Sequence, residues 1–584
     1  MRRAKIVCTL GPASDDRGTI RELADAGMAV ARLNASHGTH ADRAAVIDRI
    51  HAVDAAIDDP LSSMLDLQGP EVRTAEIDDP IDLPTDTTIR FVEGETATPA
   101  EIGLSYAIST VEPGDTVLLD DGRIETRAEA VDGDVVTARV VSGGELGSRK
   151  GVNIPGVDLD LDVVTDRDRR DIEVAVEGEA DFVAASFVRD ADDVYAVTDA
   201  IENAGGDIPV VSKIERAGAV ENIDEIVEAS YGVMVARGDL GVECPLEHVP
   251  MVQKRIIHSA QDAGVPVITA TEMLDSMVHS RRPTRAEASD VANAVLDGTD
   301  AVMLSGETAI GDHPVRVVET MDRIVREVER SDEYAETREG RVPPAAAGSQ
   351  TEALARAARF LARDLGAAAI VAVSESGYTA RTTAKFRPGV PVVATTPRDR
   401  VRRQLALSWG VDAQYAAYRE DIEGMIDSAV DTAIEAGAVE SGDTVVVLTG
   451  MMTELEGTNT TNMLKVHIAS ETVATGRSVA RGRVAGPVFR CPDGDLSDAP
   501  DGAVVVLPAT FDGEFVGDTG RIGGIVDARP GMTSYAALVA RERGIPMISG
   551  APLPDEVADG ATVTLHAERG VVYEGDVTPR EHQR

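Results

Sequence analysis

The sequence predicts an α/β protein built on a (β/α)8 barrel with three further parts, and three observations carry that prediction. The chain has 584 residues, too many for one hydrophobic core, so several domains are expected. Eight short apolar runs recur along it, most followed by a helix-like pattern, as in a barrel of alternating strands and helices. Nearly every run ends on polar or charged residues, and in such a barrel the chemistry collects at the C-terminal ends of the strands.

The elements follow in order. AKIVCTL at 4–10, MAVARL at 28–33 and SMLDL at 63–67 read as the first three strands. Several runs are apolar on consecutive positions, as a strand buried on both faces requires. The third strand ends at Asp66, but the next helix-like pattern starts only near Thr165. Between them, DTVLLDDGRIETRAEAVDGDVVTARVV alternates apolar and polar residues, with Asp121-Gly122 and Asp132-Gly133 as turn dipeptides. Residues 1–69 are therefore the first part of the barrel, and 70–153 an inserted small β-barrel domain. On a catalytic rim such an insertion is placed to act as a lid.

Residues 154–335 complete the barrel with DFVAAS at 181–186, PVVSK at 209–213, YGVMVA at 231–236, VPVITA at 265–270 and DAVMLS at 300–305. The polar, Pro-containing stretch 331–350 reads as a linker. Residues 345–472 alternate helix patterns with strands such as AAIVAV and VPVVATT, a C-terminal α/β domain. Residues 478–584 mix short strands with Gly, Pro and Asp turns and form an extra unit. The predicted strand exits carry Arg32 and Asn34, Asp66, Ser186, Lys213 and Glu215, Asp239, Thr271 and Ser305. Polar groups at nearly every exit are hard to read as packing alone.

Composition narrows the function. No run approaches the ~20 apolar residues of a membrane span, and the N-terminal MRRAKIVCTLGPAS reads as a strand rather than a signal peptide. Cys8, Cys244 and Cys491 are scattered, without metal-ligand spacing, which points to a reducing cytoplasm and no disulfide framework. The net charge is −45, from 101 Asp and Glu against 56 Lys and Arg. That balance argues against nucleic-acid binding, which needs a basic face. It would also self-repel in dilute buffer, whereas at ~1 M salt the Debye length falls to about 3 Å. A halophilic source with a very salty cytoplasm is the expectation. A GC-rich genome replacing Lys by Arg is the alternative; it explains the small number of lysines but not the surplus of Asp.

Taken together, the motifs resemble those of the pyruvate kinase family, a TIM barrel enzyme. IVCTLGPAS at 6–14 is similar to its opening strand, MAVARLNASHG at 28–38 to its second strand and loop, and LDLQGPEVRT at 65–74 to its third-strand exit. SRKGVNIPG at 148–156 resembles the return from the lid. VSKIE at 211–215, VMVARGDLGVE at 233–243, ATEMLDSM at 270–277, PTRAEASDVANAV at 283–295 and MLSGETAIGDHP at 303–314 follow in family order. The tail segment 523–550 looks like the swivelling phosphohistidine domain of phosphoenolpyruvate-utilising enzymes. There a His follows Thr-Ser; here it is Tyr535, and a phenol of pKa ≈ 10 cannot replace imidazole as a phosphoryl carrier near neutral pH. A structural or regulatory role for this unit is expected.

The resemblance implies transfer of the phosphoryl group of phosphoenolpyruvate to ADP, giving ATP and pyruvate, the last step of glycolysis. It makes Glu215 and Asp239 the ligands of Mg²⁺ or Mn²⁺, and hard carboxylate oxygens suit either ion. The alternative is a salt bridge with Lys213 or Arg237. Lys213 is implied as transition-state stabiliser, and a compact ammonium can follow a phosphoryl group as a point charge. Arg32 and Arg73 look like phosphate clamps, Gly238 like a carboxylate cradle, and Thr271 like part of the proton path to the enolate. Asn34, Ser36, Asp66 and the carbonyl of Leu67 match a K⁺ site, although Leu67 and Gln68 stand where the family usually has Thr and Lys. Glu71 resembles the residue of K⁺-dependent members. Asn34, His37, Arg73 and Lys150 are implied as nucleotide-binding.

Ser374, Ser376, Gly377 and Thr379 in SESGYTAR, with GTNTTN at 457–462, resemble an effector-phosphate site for a sugar phosphate or nucleotide. An ordinary capped helix start looks similar. A homotetramer is the family's usual assembly. Three rivals stand beside this reading: a metal-dependent lyase or aldolase on a similar barrel, a dikinase related to phosphoenolpyruvate synthase, and a non-catalytic homologue. The first would not need the lid, the second is opposed by Tyr535, and the third by the intact Arg32, Lys213, Glu215, Asp239 and Thr271.

Overall fold

Eight short strands with consecutive apolar residues leave no face for water, and they close on one another. In the computed structural model, which describes residues 2–419, 421–450 and 461–577, they form one parallel barrel. The strands are β1 (Lys5–Leu10), β2 (Val30–Asn34), β3 (Ser62–Asp66), β4 (Phe182–Ala185), β5 (Val210–Ile214), β6 (Gly232–Ala236), β7 (Val267–Ala270) and β8 (Ala301–Leu304). Each pairs with its sequence neighbours, and β8 returns to β1 with Val302 opposite Ile6. Alternation divides their side chains. Val7, Val30, Met64, Phe182, Val211, Met234 and Ile268 fill the barrel. Ile6, Leu33, Leu65, Val183, Val233 and Val302 point outward under the helices.

The lid is strand-built, as its alternation and turn dipeptides require. It has a seven-stranded sheet, from Thr88–Glu93 through the long hairpin Ile124–Asp132 and Val135–Ser142 to Val152–Asn153, and a two-stranded sheet of Ile81–Leu83 with Gly144–Leu146. Leu83, Phe91, Leu119, Val136 and Leu146 join both sheets in one core. The chain returns to the barrel at the helix Asp166–Glu177, capped by Thr165 in a capping box with Asp168. Asp168 is fully buried, and its other oxygen accepts a hydrogen bond from Gly69 N at 3.1 Å, at the root of the lid. Gly69 has φ +69, and a Cβ there would lie 3.0 Å from the Phe187 ring and 3.1 Å from Ser186 Cβ. The lid root thus needs glycine for both conformation and space.

Buried ion pairs close the barrel floor, at the N-terminal ends of the strands. Asp54 takes Arg402, Asp181 takes Arg403, and Asp300 takes Arg387, each at 2.8–2.9 Å. Leu407 enters the apolar interior from below. The stretch 331–350, expected to be a linker, begins instead with the helix Asp332–Gly340. Its polar sequence conceals one anchor: Tyr334 is buried, and its hydroxyl accepts a hydrogen bond from Trp409 Nε1 at 3.0 Å.

The chain divides into two units, residues 1–359 with 372–418 and 449–462, and residues 360–371 with 419–448 and 463–584. In the first, the α/β segment contributes the parallel pair Val392–Thr396 and Val411–Tyr415. The second contains an eight-stranded mixed sheet with the helix Tyr535–Arg543 beside it. Among the described residues no helix is long and apolar enough to cross a membrane.

Lys5 on β1 is buried, and its ammonium donates to Val411 O at 2.7 Å. Burial pushes its pKa down to about 8. The unfolded chain holds that proton to near pH 10.4. It therefore binds more protons than the folded chain between the two values, and raising the pH through that window favours folding. Relative to Lys5→Met, the wild type should gain up to about 3 kcal/mol between pH 8 and pH 10.5. Denaturant midpoints of both proteins across that range check it; a constant difference would refute it.

Candidate active site

The polar strand exits predicted from the sequence meet at one end of the barrel. Lys213 is the penultimate residue of β5, and Glu215 follows it directly. The Lys213 ammonium lies 2.7 Å from Glu215 Oε1, 2.8 Å from Ser186 Oγ and 3.4 Å from Asp66 Oδ1. Asp66, at the end of β3, accepts from Arg32 Nε at 2.6 Å through its other oxygen. Arg32, on β2, also donates to Thr9 Oγ1 at 2.8 Å. Glu215 Oε2 accepts from Phe187 N at 2.7 Å. Five neighbouring strands, β1 to β5, thereby place their ends in one hydrogen-bonded cluster. Arg32, Asp66, Ser186 and Glu215 in it are buried.

Asp239 departs from its expected setting. β6 passes without a loop into the short helix Arg237–Glu243, so Asp239 lies in the first turn of a helix. The run of apolar residues ending in Arg-Gly-Asp looks like a strand entering a turn, and Arg237 opens a helix instead. Its guanidinium donates twice to Asp290, at 2.6 and 2.7 Å, across 53 residues of sequence. Arg237 is therefore spent on a structural pair and does not neutralise Asp239. A Cβ on Gly238 would meet nothing within 4 Å, so the space above this backbone is open.

The electrostatics are those of charges taken out of water. Burial opposes the ammonium of Lys213, but the fields of Asp66 and Glu215 outweigh it and raise its pKa. Burial likewise opposes the Asp66 carboxylate, yet Arg32 and Lys213 hold its pKa below the ordinary value. Glu215 and Asp239 shift the other way: burial raises both, and Lys213 compensates only in part. Two carboxylates pushed toward protonation, Glu215 buried and Asp239 partly so, are short of positive charge.

That shortage is the test of a cation here. Glu215 and Asp239 offer hard oxygens and no soft donor, which fits Mg²⁺ or Mn²⁺. Among the described residues no cluster of three or more His, Cys, Asp or Glu could hold a metal, so two carboxylates with substrate and water oxygens is the arrangement that fits. For a monovalent cation, Asn34 sits opposite Asp66 in the β2–β3 register. Asn34 Oδ1 accepts from Ser36 N at 3.0 Å, drawing the loop of Ser36 back toward it. Asp66 Oδ1 has only long contacts, 3.4 Å to Lys213 and 3.5 Å to Ser186. The donors are all oxygens, with one oxygen of Asp66 held loosely, which fits K⁺.

The remaining predicted residues are placed as follows. His37 is in the loop after β2, where its N–H donates to Asn34 O at 3.2 Å. Arg73 and Lys150 stand at the base of the lid, each taken by a carboxylate: Arg73 by Glu71 at 2.8 Å and Lys150 by Asp120 at 2.7 Å. Thr271 follows β7, and the buried Glu307 braces its loop by accepting from Leu274 N at 2.9 Å and Ser305 N at 2.7 Å.

In the SESGYTAR loop, Gly377 has φ +77 and precedes the helix Tyr378–Lys385. Ser374 Oγ accepts from Thr379 N at 3.3 Å, Ser376 Oγ from Tyr378 N at 3.4 Å, and Thr379 Oγ1 lies 2.8 Å from Thr461 Oγ1. Of GTNTTN, residues 457–460 lie outside the described residues.

Sequence reasoning missed several supports. Ser186 was visible as a polar strand exit, but its bonds were not, and nothing in the sequence singled out Phe187. Phe187 has φ 59, a conformation bulky side chains avoid, and this conformation accompanies its N–H bond to Glu215. Asp171, buried in the helix Asp166–Glu177, pairs with Arg43, which donates to His37 O at 2.8 Å. No local pattern announces a partner 128 residues away.

Arg32 and Lys213, held by buried carboxylates at the open end of the barrel, define an enzyme that handles an anionic substrate at the strand exits. Models of three known families match the chain: the pyruvate kinase barrel domain over residues 1–318, the pyruvate kinase alpha/beta domain over 352–467, and the mobile domain of PEP-utilising enzymes over 499–570. Pyruvate kinases of Staphylococcus epidermidis and Staphylococcus aureus are each 40% identical to it, over 98% of this chain and 99% of theirs. The chain belongs to the pyruvate kinase family, and it is a phosphotransferase.

Removing Asp66 leaves the buried Arg32 and the largely buried Lys213 without their shared partner. Asp66→Ala should cost about 3–5 kcal/mol of stability. Guanidinium unfolding measures it, and a loss below about 1 kcal/mol, typical of an exposed pair, would contradict the buried network.

Proposed function

We propose that this protein transfers the phosphoryl group of phosphoenolpyruvate to ADP, giving ATP and pyruvate in glycolysis, with Mg²⁺ or Mn²⁺ and with K⁺. The observation that carries this reading is the Lys213 ammonium, 2.7 Å from Glu215 Oε1 and within the field of Asp239. A phosphoryl group in flight carries negative charge with little covalent help, so fixed positive charge is what its transfer requires.

Glu215 and Asp239 would hold the divalent ion; Asn34, Ser36, Asp66 and the Leu67 carbonyl would hold K⁺. When bound, these ions supply charge neutralisation for the phosphoryl and enolate oxygens. The side chains supply the rest. Arg32, fixed by Asp66 and Thr9, binds the phosphoryl oxygens, and Lys213 follows the phosphorus as its bond to the enol oxygen breaks and a bond to the terminal ADP oxygen forms. The backbone at Gly238 receives the substrate carboxylate in its open space. Thr271 lies on the path by which the enolate carbon gains its proton. Arg73, Lys150, His37 and Asn34 take the nucleotide, with Arg73 and Lys150 exchanging Glu71 and Asp120 for phosphates as the lid closes. Cleft closure and water exclusion are the natural work of a lid at this rim.

Ser374, Ser376, Gly377 and Thr379 would cradle the phosphate of a sugar-phosphate or nucleotide effector. The assembly would be a homotetramer in the cytoplasm of a salt-adapted cell, where the net charge of −45 is screened. With Tyr535 in place of the phosphoryl-carrying His, the extra C-terminal domain would serve structure or regulation.

Phosphoenolpyruvate-dependent ATP formation from ADP, measured at molar KCl with Mg²⁺ or Mn²⁺, tests the reaction. Lys213→Met should lower turnover at least roughly 100- to 1000-fold while Mn²⁺ still binds. Near-normal turnover in that variant would reject the role of Lys213. Replacing K⁺ by Na⁺ or tetramethylammonium at matched ionic strength should abolish most activity; full activity without K⁺ would reject the monovalent site.

A further inference from the structure

The hydroxyl of Ser186 is used twice. It donates to the Leu67 carbonyl at 2.7 Å and accepts from the Lys213 ammonium at 2.8 Å. A serine hydroxyl has one proton, and the Leu67 carbonyl is its close acceptor, with Asp66 Oδ1 farther off at 3.5 Å. The residue is 3% exposed. Its position is set from two sides. Backbone pairing of β4 with β3 and β5 delivers it between Leu67 and Lys213. The lid root at Gly69 packs on its Cβ.

The geometry points to Ser186 as a positioning residue that couples the monovalent-cation site to the phosphoryl-transfer lysine. This rests on the proposed K⁺ site at Leu67 and on the proposed role of Lys213. A carbonyl held by the hydroxyl keeps one lone pair directed at Ser186 and leaves the other for a cation. An ammonium held by the same hydroxyl is kept from folding wholly onto Glu215, the nearer of its two carboxylates. Loss of the hydroxyl releases both groups together. Leu67 O loses the donor that orients it, and Lys213 loses a neutral partner that holds it without neutralising it.

Ser186→Ala should therefore change two quantities at once. The K⁺ concentration for half-maximal stabilisation should rise at least about fivefold, and kcat should fall roughly 10- to 100-fold, the range for losing a hydrogen bond to a charged group. The stabilisation is read without turnover, as the melting temperature in KCl compared with tetramethylammonium chloride at matched ionic strength. Mn²⁺ should still bind, as read by electron paramagnetic resonance, because both ligand carboxylates remain. Ser186→Thr, which keeps the hydroxyl, should restore both quantities; Ser186→Cys, similar in size with a weak donor, is measured in the same way if the alanine variant does not fold.

An unchanged K⁺ midpoint or an unchanged kcat in Ser186→Ala overturns the coupling, since one hydroxyl touching both groups must move both. Failure of Ser186→Thr to rescue overturns it too. A wild type without K⁺-specific stabilisation removes the monovalent site and this inference with it, while ATP formation in the coupled assay would leave the phosphotransfer reading in place.

Discussion

A buried ammonium needs carboxylates around it, and the catalytic end of this barrel is organised by that need. Lys213 is surrounded by Asp66, Glu215 and, further out, Asp239. Arg32 shares Asp66 with it. Two cationic side chains therefore face three carboxylates, and the surplus lies on Glu215 and Asp239, whose burial disfavours their charge. Such a cluster is not built for stability alone, because well-packed apolar residues would serve a core as well or better. Its carboxylates outnumber its cations, so its charge balance is left open.

The two ends of the barrel use the same residue types for opposite purposes. At the floor, Asp54, Asp181 and Asp300 are each matched by an Arg from residues 387–403. Those pairs are closed and leave nothing for a ligand. At the rim, carboxylates outnumber cations, Gly238 leaves open space, and the lid root touches Ser186 and Phe187. The lid root and Lys213 thus meet the same dipeptide and its neighbours. The Asp168 cap of the returning helix, bonded to Gly69, fixes the same hinge from the other side.

Much of this was legible in the chain. Strands buried on both faces must be apolar at consecutive positions, so β1 to β8 announce themselves, and their polar last residues mark the open end. The lid was legible because alternation with Asp-Gly turns has few other meanings. The helix Asp332–Gly340 was not, since its composition is that of a linker and only Tyr334, hydrogen-bonded to Trp409, anchors it.

By itself the sequence determined the barrel, the inserted lid, the family, and the identity of the residues at each strand exit. These follow from periodicity and from residue types at the ends of elements, which are local properties. Only the tertiary structure decided which exits share a proton or a charge. It joined Lys213 to Ser186, Glu215 and Asp66, gave Arg237 to Asp290, and turned Phe187 N toward Glu215. Apart from Lys213 and Glu215, which share one strand end, these partners lie tens to more than a hundred residues apart in sequence, and only the packing of strands and helices brings them together.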